Sequence, residues 1–308
     1  MGKLYQKYVS EFSCLASACP DTCCAMWQIC LDEQTALDYL NDKGEIGVIA
    51  REYMRGKPCS RRLALKNKKC PYLTKDNLCK VIIDKGEQAL STVCSMHPRF
   101  VHPLFEDSYE FLSLSCPRAV EMFLGEVKNG GVSYIRHDLQ NPYLLQFYEY
   151  VCGISERFTQ FDVAKETEKT LGADNLITEL FTAVFDKMEY LEEQTADALK
   201  GLSYDDFVMG CNAFQREFGK EFFAEIFKYF SLMLYNEKSP VLPTAFIFAI
   251  SVCALYSKFG SYEKAVYKFV KETEHSERNV KNTIRIMRSP KAKTILRGLF
   301  CFSDIYGD

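Results

Sequence analysis

The cysteines constrain this chain more than any other sequence feature. Ten of its fourteen cysteines lie within the first 116 of 308 residues, mainly in residues 14–24 and in residues 70–116. Structural disulfides are rare in a reducing compartment, where dense cysteines indicate metal or redox chemistry instead. The compartment therefore decides how these cysteines are interpreted.

Both candidate targeting segments argue for a cytoplasmic protein. The first ten residues lack the apolar run of a signal peptide. The longest uncharged stretch, residues 239–257, contains Pro240 and Pro243, so its apolar part falls short of the roughly 20 residues that cross a bilayer. We expect no membrane span and a cytoplasmic location. Export by another route would restore a disulfide framework as an alternative.

Eight cysteines are candidate metal ligands. Four thiols fall within eleven residues and four follow in turn-rich segments, a distribution that core packing does not explain. The candidates are Cys14, Cys19, Cys23, Cys24, Cys70, Cys79, Cys94 and Cys116. Packing in apolar stripes is the expectation for Cys152, Cys211, Cys253 and Cys301, and the doubtful members are Cys30 and Cys59.

The spacing of the eight candidates favours iron–sulfur chemistry over zinc. Zinc knuckles place two to four residues between paired ligands, and Cys70 and Cys79 are further apart. Iron–sulfur clusters accept scattered cysteines and need four thiolates each. We therefore expect a [4Fe-4S] cluster, with zinc as the alternative. The eight thiols suffice for two four-ligand sites, or for one cluster with further thiols around it.

Several residues near the cysteines are candidates for cofactor binding. Arg99 and Arg118 each follow a proline and are able to bind a carboxylate through two hydrogen bonds, although a salt bridge within the protein is an equal alternative. His97 is a possible ligand or base, or a structural hydrogen-bonding group. Trp27 can stack on a cofactor or pack in the core. Asp21 is a further candidate at this site.

The distribution of apolar residues predicts a mainly α protein. Residues 1–120 form a predicted cysteine-rich domain with short β hairpins, including one over residues 100–115. Residues 62–66 alternate and predict a strand paired with residues 78–83. From residue 121 to residue 308 helical periodicity dominates, with continuous apolar stripes over residues 207–235 and 262–274 among others. This pattern predicts an all-helical domain packed on the first. The net charge of −3 argues against a nucleic-acid partner.

An ordered set of motifs resembles the flagellin lysine N-methylases. These proteins share a cysteine core with a broader group of zinc- or iron-chelating cysteine-cluster proteins. The matching elements are Phe12-Ser-Cys14, Cys19-Pro-Asp-Thr-Cys23-Cys24, Trp27-Gln-Ile, Cys70-Pro-Tyr-Leu, Leu78-Cys79, Cys94-Ser-Met-His97-Pro98-Arg99 and Leu114-Ser-Cys116-Pro-Arg118. They cover about the first 120 residues, and the helical remainder carries no matching motif.

The resemblance implies methyl transfer from S-adenosylmethionine to lysine side chains of flagellin, in an enzyme with an iron–sulfur cluster. No glycine-rich strand–turn–helix nucleotide motif is present in the sequence, so the cluster region is the expected cofactor site. An iron with an open position there is able to chelate the amino and carboxylate groups of S-adenosylmethionine. The cysteine spacing usual in radical S-adenosylmethionine enzymes is absent, which favours polar transfer.

Two other functions remain open from the sequence. One is a non-enzymatic protein of the broader group that binds zinc or iron or senses redox state. The other is a helical protein-interaction domain in which zinc is a structural staple. Metal content and binding of S-adenosylmethionine distinguish these alternatives from a methyltransferase.

Overall fold

The computed structural model describes residues 2–58, 60–104, 106–169, 172–235 and 241–293. Helices dominate these residues, which confirms the mainly α prediction. The strands are β1 Gly2–Gln6, β2 Ile29–Cys30, β3 Met54–Arg55, β4 Arg62–Leu63, β5 Arg99–Leu104, β6 Asp107–Leu112 and β7 Tyr134–His137. Cys59 and Cys301 lie outside the described residues.

The helices divide into short ones in the cysteine-rich part and longer ones after it. The first group is α1 Glu33–Asn41, α2 Glu45–Tyr53, α3 Lys80–Lys85, α4 Thr92–Met96 and α5 Pro117–Lys128. The second group is α6 Pro142–Gln160, α7 Val163–Glu168, α8 Ala173–Phe185, α9 Glu193–Lys200, α10 Tyr204–Phe218, α11 Glu221–Leu234, α12 Leu242–Phe259, α13 Tyr262–Glu274 and α14 Glu277–Met287.

A four-stranded sheet with the order β5-β6-β1-β7 joins the two ends of the cysteine-rich part. Strands β5 and β6 form the predicted antiparallel hairpin. Strand β1 runs parallel to β6 and antiparallel to β7. Strand β7 lies within residues 121–308, so the prediction of an all-helical region was wrong there. Its four residues complete the sheet because the edge of β1 offers hydrogen-bonding partners for their backbone.

The second sheet is small and has the order β2-β4-β3, with two residues in each strand. Strand β4 pairs with β2 and β3, and the expected pairing with residues 78–83 was wrong. Residues 80–85 form helix α3 instead, with Cys79 as the extended residue before the helix. The short alternating run did not determine which strand it would pair with.

The helical body is built around helix α12. Phe230, Phe248 and Phe269 are fully buried, and their rings meet edge to face with centroid distances of 5.2–5.8 Å. Such contacts add to the stabilisation that burial of the rings provides. Among the described residues, α12 alone is long and apolar enough to cross a membrane, yet 78% of it is buried inside the protein.

Two hydrophobic cores are present in the described residues. The main core joins the helical body to the four-stranded sheet, and includes Leu4, Tyr8 and Phe12 from the start of the chain. The small core contains ten buried residues between Ile29 and Val81. The division into domains at residue 120 stays a prediction.

Helices α10 and α12 approach closely because Gly210 has no side chain. A Cβ atom at Gly210 would lie 1.7 Å from the backbone oxygen of Cys253 in α12. Backbone atoms inside a packed helix cannot move far, so any side chain at this position forces the two helices apart. Gly153 in α6 is an exposed contrast, with nothing within 4 Å of an added Cβ.

We predict opposite effects of the same substitution at these two glycines. Gly210→Ala should lower the free energy of unfolding by about 2 kcal/mol or more because of this clash. Gly153→Ala should leave it unchanged or raise it by about 0.5 kcal/mol, since alanine favours helix. Denaturant unfolding of both variants measures this. Equal effects would show that α10 and α12 are not packed as described.

Candidate functional site

The eight candidate cysteines fall into two groups of four. We call Cys24, Cys70, Cys79 and Cys94 the inner cysteine group, and Cys14, Cys19, Cys23 and Cys116 the outer cysteine group. The chain passes from one group to the other at the peptide bond between Cys23 and Cys24, which lie in a turn. The thiols of these two residues stay in contact, so the two groups adjoin at this peptide bond.

The inner cysteine group packs on the small core. Cys70 is buried within this core, and Cys24, Cys79 and Cys94 pack against it. The backbone N–H of Cys70 donates to the carbonyl oxygen of Cys24 at 2.7 Å. The thiol of Cys24 is also close enough to contribute to the raised pKa of Cys70, Cys79 and Cys94, for which burial is the main cause. These four residues form one neighbourhood.

The outer cysteine group lies at the junction with the helical body and is more open. Cys14 and Cys23 are exposed, and Cys19 and Cys116 are half-buried. Burial raises the pKa of Cys116 to about 11, and the thiols of Cys19 and Cys14 add to this shift. Cys14 likewise contributes to the raised pKa of Cys19 and of Cys23. Cys14 therefore lies near each of the other three thiols, although Cys116 is about 100 residues away in sequence.

The two groups lie side by side. The thiols of Cys23 and Cys24 share a hydrogen bond, which raises the pKa of Cys23 and lowers that of Cys24 to about 7. Cys94 of the inner group also contributes to the pKa of Cys23. The proton therefore stays on Cys23, while Cys24 approaches the thiolate form that metals bind.

Backbone N–H groups are directed at sulfur in both groups. The N–H of Tyr72 hydrogen-bonds to the Cys70 thiol, and those of Val81 and Ile82 to the Cys79 thiol. In the outer group the N–H of Ala16 donates to Cys14 Sγ at 3.3 Å, and those of Arg118 and Ala119 hydrogen-bond to Cys116. Such donors favour thiolate, although burial still dominates and raises the pKa of Cys70, Cys79 and Cys116.

The thiol groups are suitable metal donors, although their side chains do not converge on one point. Across the described part of the chain, no three His, Cys, Asp or Glu side chains form a metal-binding arrangement. Four thiols with N–H donors are the chemistry that a tetrathiolate zinc site or an iron–sulfur cluster requires. Ligation would need rotation of the cysteine side chains and loss of the Cys23–Cys24 hydrogen bond. Such ordering commonly accompanies metal binding.

Helix α13 holds the loop that carries Cys19 and Cys23. Lys268 and Lys271 project from α13 to Asp21, with Nζ–Oδ distances of 2.9 and 2.8 Å. Lys268 also contacts Glu192 at 2.6 Å. The side chains of Asp21, Lys268 and Lys271 are at most 12% exposed. We call these four residues the buried ion cluster; its compensated charges fix the cysteine loop on the helical body.

Trp27 and His97 lie beside this ion cluster. The Trp27 indole N–H donates to the Cys23 carbonyl oxygen at 2.7 Å, and its ring meets the His97 ring edge to face at 5.9 Å. Lys271 Nζ lies 5.7 Å from the Trp27 ring centroid. Burial, assisted by Lys271, lowers the pKa of His97 to about 4. His97 is therefore neutral near pH 7.

The two candidate arginines have different partners. Arg99 donates from Nη2 to the Phe12 carbonyl oxygen at 2.9 Å and stacks on the Phe12 ring, 5.0 Å from its centroid. Arg118 pairs with Glu121 at 2.8 Å through Nη1, whereas its Nε is buried without a hydrogen-bond partner. The salt bridge expected as the alternative is thus present at Arg118. A donor also remains there for a ligand.

Glu274 at the end of α13 holds the segment before Cys116. Ser113 Oγ donates to Glu274 Oε2, and the Tyr229 hydroxyl donates to Oε1 at 3.2 Å. The backbone N–H of Leu114 donates to the same tyrosine hydroxyl at 3.0 Å. Burial raises the pKa of Glu274 to about 7. Both halves of the outer cysteine group are therefore anchored on one helix.

Sequence reasoning did not identify α13 as part of the site. A signal is present in the sequence, since Lys271, Glu272, Thr273 and Glu274 are consecutive and cannot all face solvent on a helix. All but Glu274 are buried, and Glu274 is half-buried. Consecutive polar residues on a helix that otherwise packs in the core indicate buried polar partners.

The remaining described cysteines do not join either group. Cys211 and Cys253 are buried in the main core, which confirms the prediction that they pack there. Cys152 is half-buried and lies beside Tyr148. Cys30 is exposed in strand β2. Cys30 therefore provides a control for substitutions in the two groups.

The sequence is similar to those of three known bacterial proteins. The flagellar biosynthetic protein FliU of Salmonella muenchen is 35% identical over 158 residues, which is 46% of this chain and 91% of FliU. The lysine-N-methylases of Salmonella typhimurium and Salmonella choleraesuis are each 37% identical over 128 residues, or 39% of this chain. The chain belongs to the family of these proteins.

The similarity to the lysine-N-methylases covers only part of their length. The match spans 31% of the length of each lysine-N-methylase. No family model matches the chain, and no solved structure matches it. The resemblance found from the motifs is confirmed, whereas the role of the cysteines stays a prediction.

We predict that Glu274 makes stability depend on pH. Its pKa near 7 exceeds the unfolded value of about 4.3, so its contribution is present below about pH 4 and is lost as pH rises through 7. Glu274→Gln cannot titrate. The free energy of unfolding of the wild type, relative to this variant, should fall by about 2 kcal/mol between about pH 5 and pH 8. A constant difference would contradict the raised pKa of Glu274.

Proposed function

We propose that this chain is a protein lysine methyltransferase that uses S-adenosylmethionine and acts on flagellin. The observation that carries this proposal is its similarity to proteins named lysine-N-methylase, at 37% identity. The name of the related FliU connects the family to the flagellum. We further propose that a [4Fe-4S] cluster is bound by the outer cysteine group.

Exposure is the reason to assign the cluster to the outer group. A cluster that meets a substrate must be reachable, and Cys14 and Cys23 are exposed. Held by three of these thiols, the cluster would supply an iron with an open position that could chelate amino and carboxylate groups. The side chains that we propose to position the substrates are Trp27, His97, Arg99 and Arg118. The buried ion cluster and Glu274 hold the outer cysteine group in place.

The four cofactor-binding candidates follow cysteines closely in the sequence, and each offers a different interaction with S-adenosylmethionine. Arg118 has a free Nε donor that suits a carboxylate oxygen. Trp27 offers an aromatic surface that attracts a sulfonium cation. His97 is neutral and can exchange hydrogen bonds without adding charge. Arg99 stacks on Phe12 and contributes a second positive charge that can attract a carboxylate.

The transfer itself requires a neutral lysine amine and close alignment. The nitrogen lone pair attacks the sulfonium methyl, the N–C bond forms as the S–C bond breaks, and the bonding electron pair stays on sulfur. A lysine side chain is an ammonium group near pH 7, so it must lose one proton before the attack, and the methylated amine can stay protonated afterwards. The protein therefore has to align the amine with the methyl group and let that proton leave.

Cytoplasmic location and a protein substrate are part of the same proposal. Reduced thiols and clusters persist in a reducing compartment. A net charge of −3 gives no general attraction for nucleic acid. Flagellin is the proposed partner, and helix α12 is proposed to be a core helix because it is largely buried.

The direct test is a methylation assay with the full chain, purified anaerobically. Flagellin and S-adenosylmethionine with a labelled methyl group should give label on flagellin lysines, located by peptide mass spectrometry. Cys116→Ser should reduce the rate at least about tenfold because a ligand of the cluster is lost. Cys30→Ser, an exposed control outside both groups, should retain the rate.

The other outcomes separate the alternatives. Iron and sulfide in the protein without binding of S-adenosylmethionine would favour the non-enzymatic cysteine-cluster protein. Zinc alone would favour the structural staple and would contradict the cluster. Methylation that Cys116→Ser leaves unchanged would contradict the assignment of the cluster to the outer group.

A further inference from the structure

Residues 51–69 carry a positive charge that contrasts with the rest of the chain. They contain eight Lys or Arg side chains and one Glu, a net charge of +7, whereas the whole chain carries −3. All other residues together therefore carry −10. Seven of the eight cations are exposed, and one is half-buried. We call them the basic surface: Arg51, Arg55, Lys57, Arg61, Arg62, Lys66, Lys68 and Lys69.

Strands β3 and β4 place two arginines of the basic surface directly opposite each other. Met54 pairs with Leu63, and Arg55 pairs with Arg62. Leu63 is buried in the small core. Because successive side chains of a strand point to opposite faces, Arg55 and Arg62 both lie on the outer face of the sheet. Like charges directly opposite each other destabilise a pair of strands, so these two arginines do not serve the fold.

A tight turn brings three lysines of the basic surface next to the cysteine loop. Lys66 and Lys69 exchange backbone hydrogen bonds at 2.8 and 3.0 Å, and Lys68 lies at the tip of the turn with a φ of 62°. Lys69 forms a β-bridge with Ala25, and the carbonyl oxygen of Lys68 accepts from the backbone N–H of Met26 at 2.8 Å. Ala25 and Met26 directly follow the cysteine loop. The basic surface is therefore continuous with the candidate site.

The charges of the basic surface are not balanced within the described part of the chain. None of its eight side chains forms a salt bridge with a carboxylate of the described residues. Arg51 and Arg55 donate to backbone carbonyl oxygens instead. Arg61 Nη1 is buried without a hydrogen-bond partner among these residues. Clustered cations repel one another unless an anion compensates them, so the surface is complementary to a partner that carries carboxylates or phosphates.

Two observations favour an acidic polypeptide over a nucleic acid as this partner. A long nucleic acid would extend over the rest of the chain, whose net charge of −10 repels it, whereas a short acidic segment contacts the basic surface alone. Single-stranded nucleic acid also needs exposed aromatic rings on which its bases stack. Tyr53 is the one aromatic residue within residues 51–69. It is half-buried, and Lys66 Nζ lies over its ring at 5.7 Å from the centroid.

We propose that the basic surface binds an acidic segment of the protein substrate and so selects which lysines reach the candidate site. This inference rests on the proposed function, and it specifies the substrate as a lysine near Asp or Glu residues. Arginine pairs with a carboxylate through two hydrogen bonds, and lysine adds a point charge. Attraction of this kind accelerates association and weakens as salt rises. The lysine turn beside the cysteine loop keeps the bound segment close to the outer cysteine group.

Removal of the two opposed arginines tests the proposal. Arg55→Gln/Arg62→Gln in the full chain is compared with Arg278→Gln/Arg285→Gln, which removes the same charge from exposed positions on α14. Both variants should fold, since the first loses a repulsion and the second changes exposed residues. Binding is measured separately from methylation, by fluorescence anisotropy of labelled flagellin and of a labelled oligoglutamate peptide.

The wild type and the α14 variant should bind both probes, and binding should weaken as salt rises. Arg55→Gln/Arg62→Gln should weaken the binding of both probes at least about fivefold. In the methylation assay the same substitution should raise KM for flagellin and leave kcat unchanged, because only docking of the substrate is affected.

Equal binding by the two variants, or no binding of either probe by the wild type, would overturn the proposal. Tighter binding of duplex DNA than of oligoglutamate would also overturn it. Flagellin methylated with the same KM by all three proteins would overturn the docking surface and leave the proposed function standing. Oligoglutamate binding lost only in Arg55→Gln/Arg62→Gln, with no methylation of flagellin, would instead support the docking surface and contradict the proposed function.

Discussion

The arrangement of the candidate site depends on the buried ion cluster between α13 and the cysteine loop. The Asp21 carboxylate forms ion pairs with Lys268 and Lys271, and the Glu192 carboxylate balances the second positive charge. Burying charges is costly unless each is paired, and loss of one partner leaves the others unpaired. The cluster therefore permits essentially one position of the loop. That position brings Cys19 to the start of α5, where Cys116 lies.

Helix α13 thus contacts two separate segments that carry cysteines. Its lysines hold the loop with two cysteines, and Glu274 at its end holds the segment that leads to Cys116. The outer cysteine group is in this way fixed by the helical body rather than by the small core. The inner group depends on the small core and its short elements.

The sequence predicted the helices with strong periodicity, and missed features that depend on tertiary contacts. Helix α13 was predicted at its observed bounds, Tyr262–Glu274. One continuous stripe over residues 207–235 became helices α10 and α11, because Gly219 ends the first with a φ of 74°. The parallel pairing of β1 with β6 joins residues about 100 apart, which local patterns do not encode. The eight cysteines were identified together, but their division into two groups required the fold.

We propose that the buried ion cluster positions the outer cysteine group to bind iron. The most direct measurement is the iron content of anaerobically purified Lys271→Met, compared with wild type and with Lys281→Met, whose lysine is exposed on α14. We expect about four iron atoms per chain in the wild type and the control. Lys271→Met should contain less than about half of that, since Asp21 loses a buried partner. Equal iron in all three proteins would contradict the account.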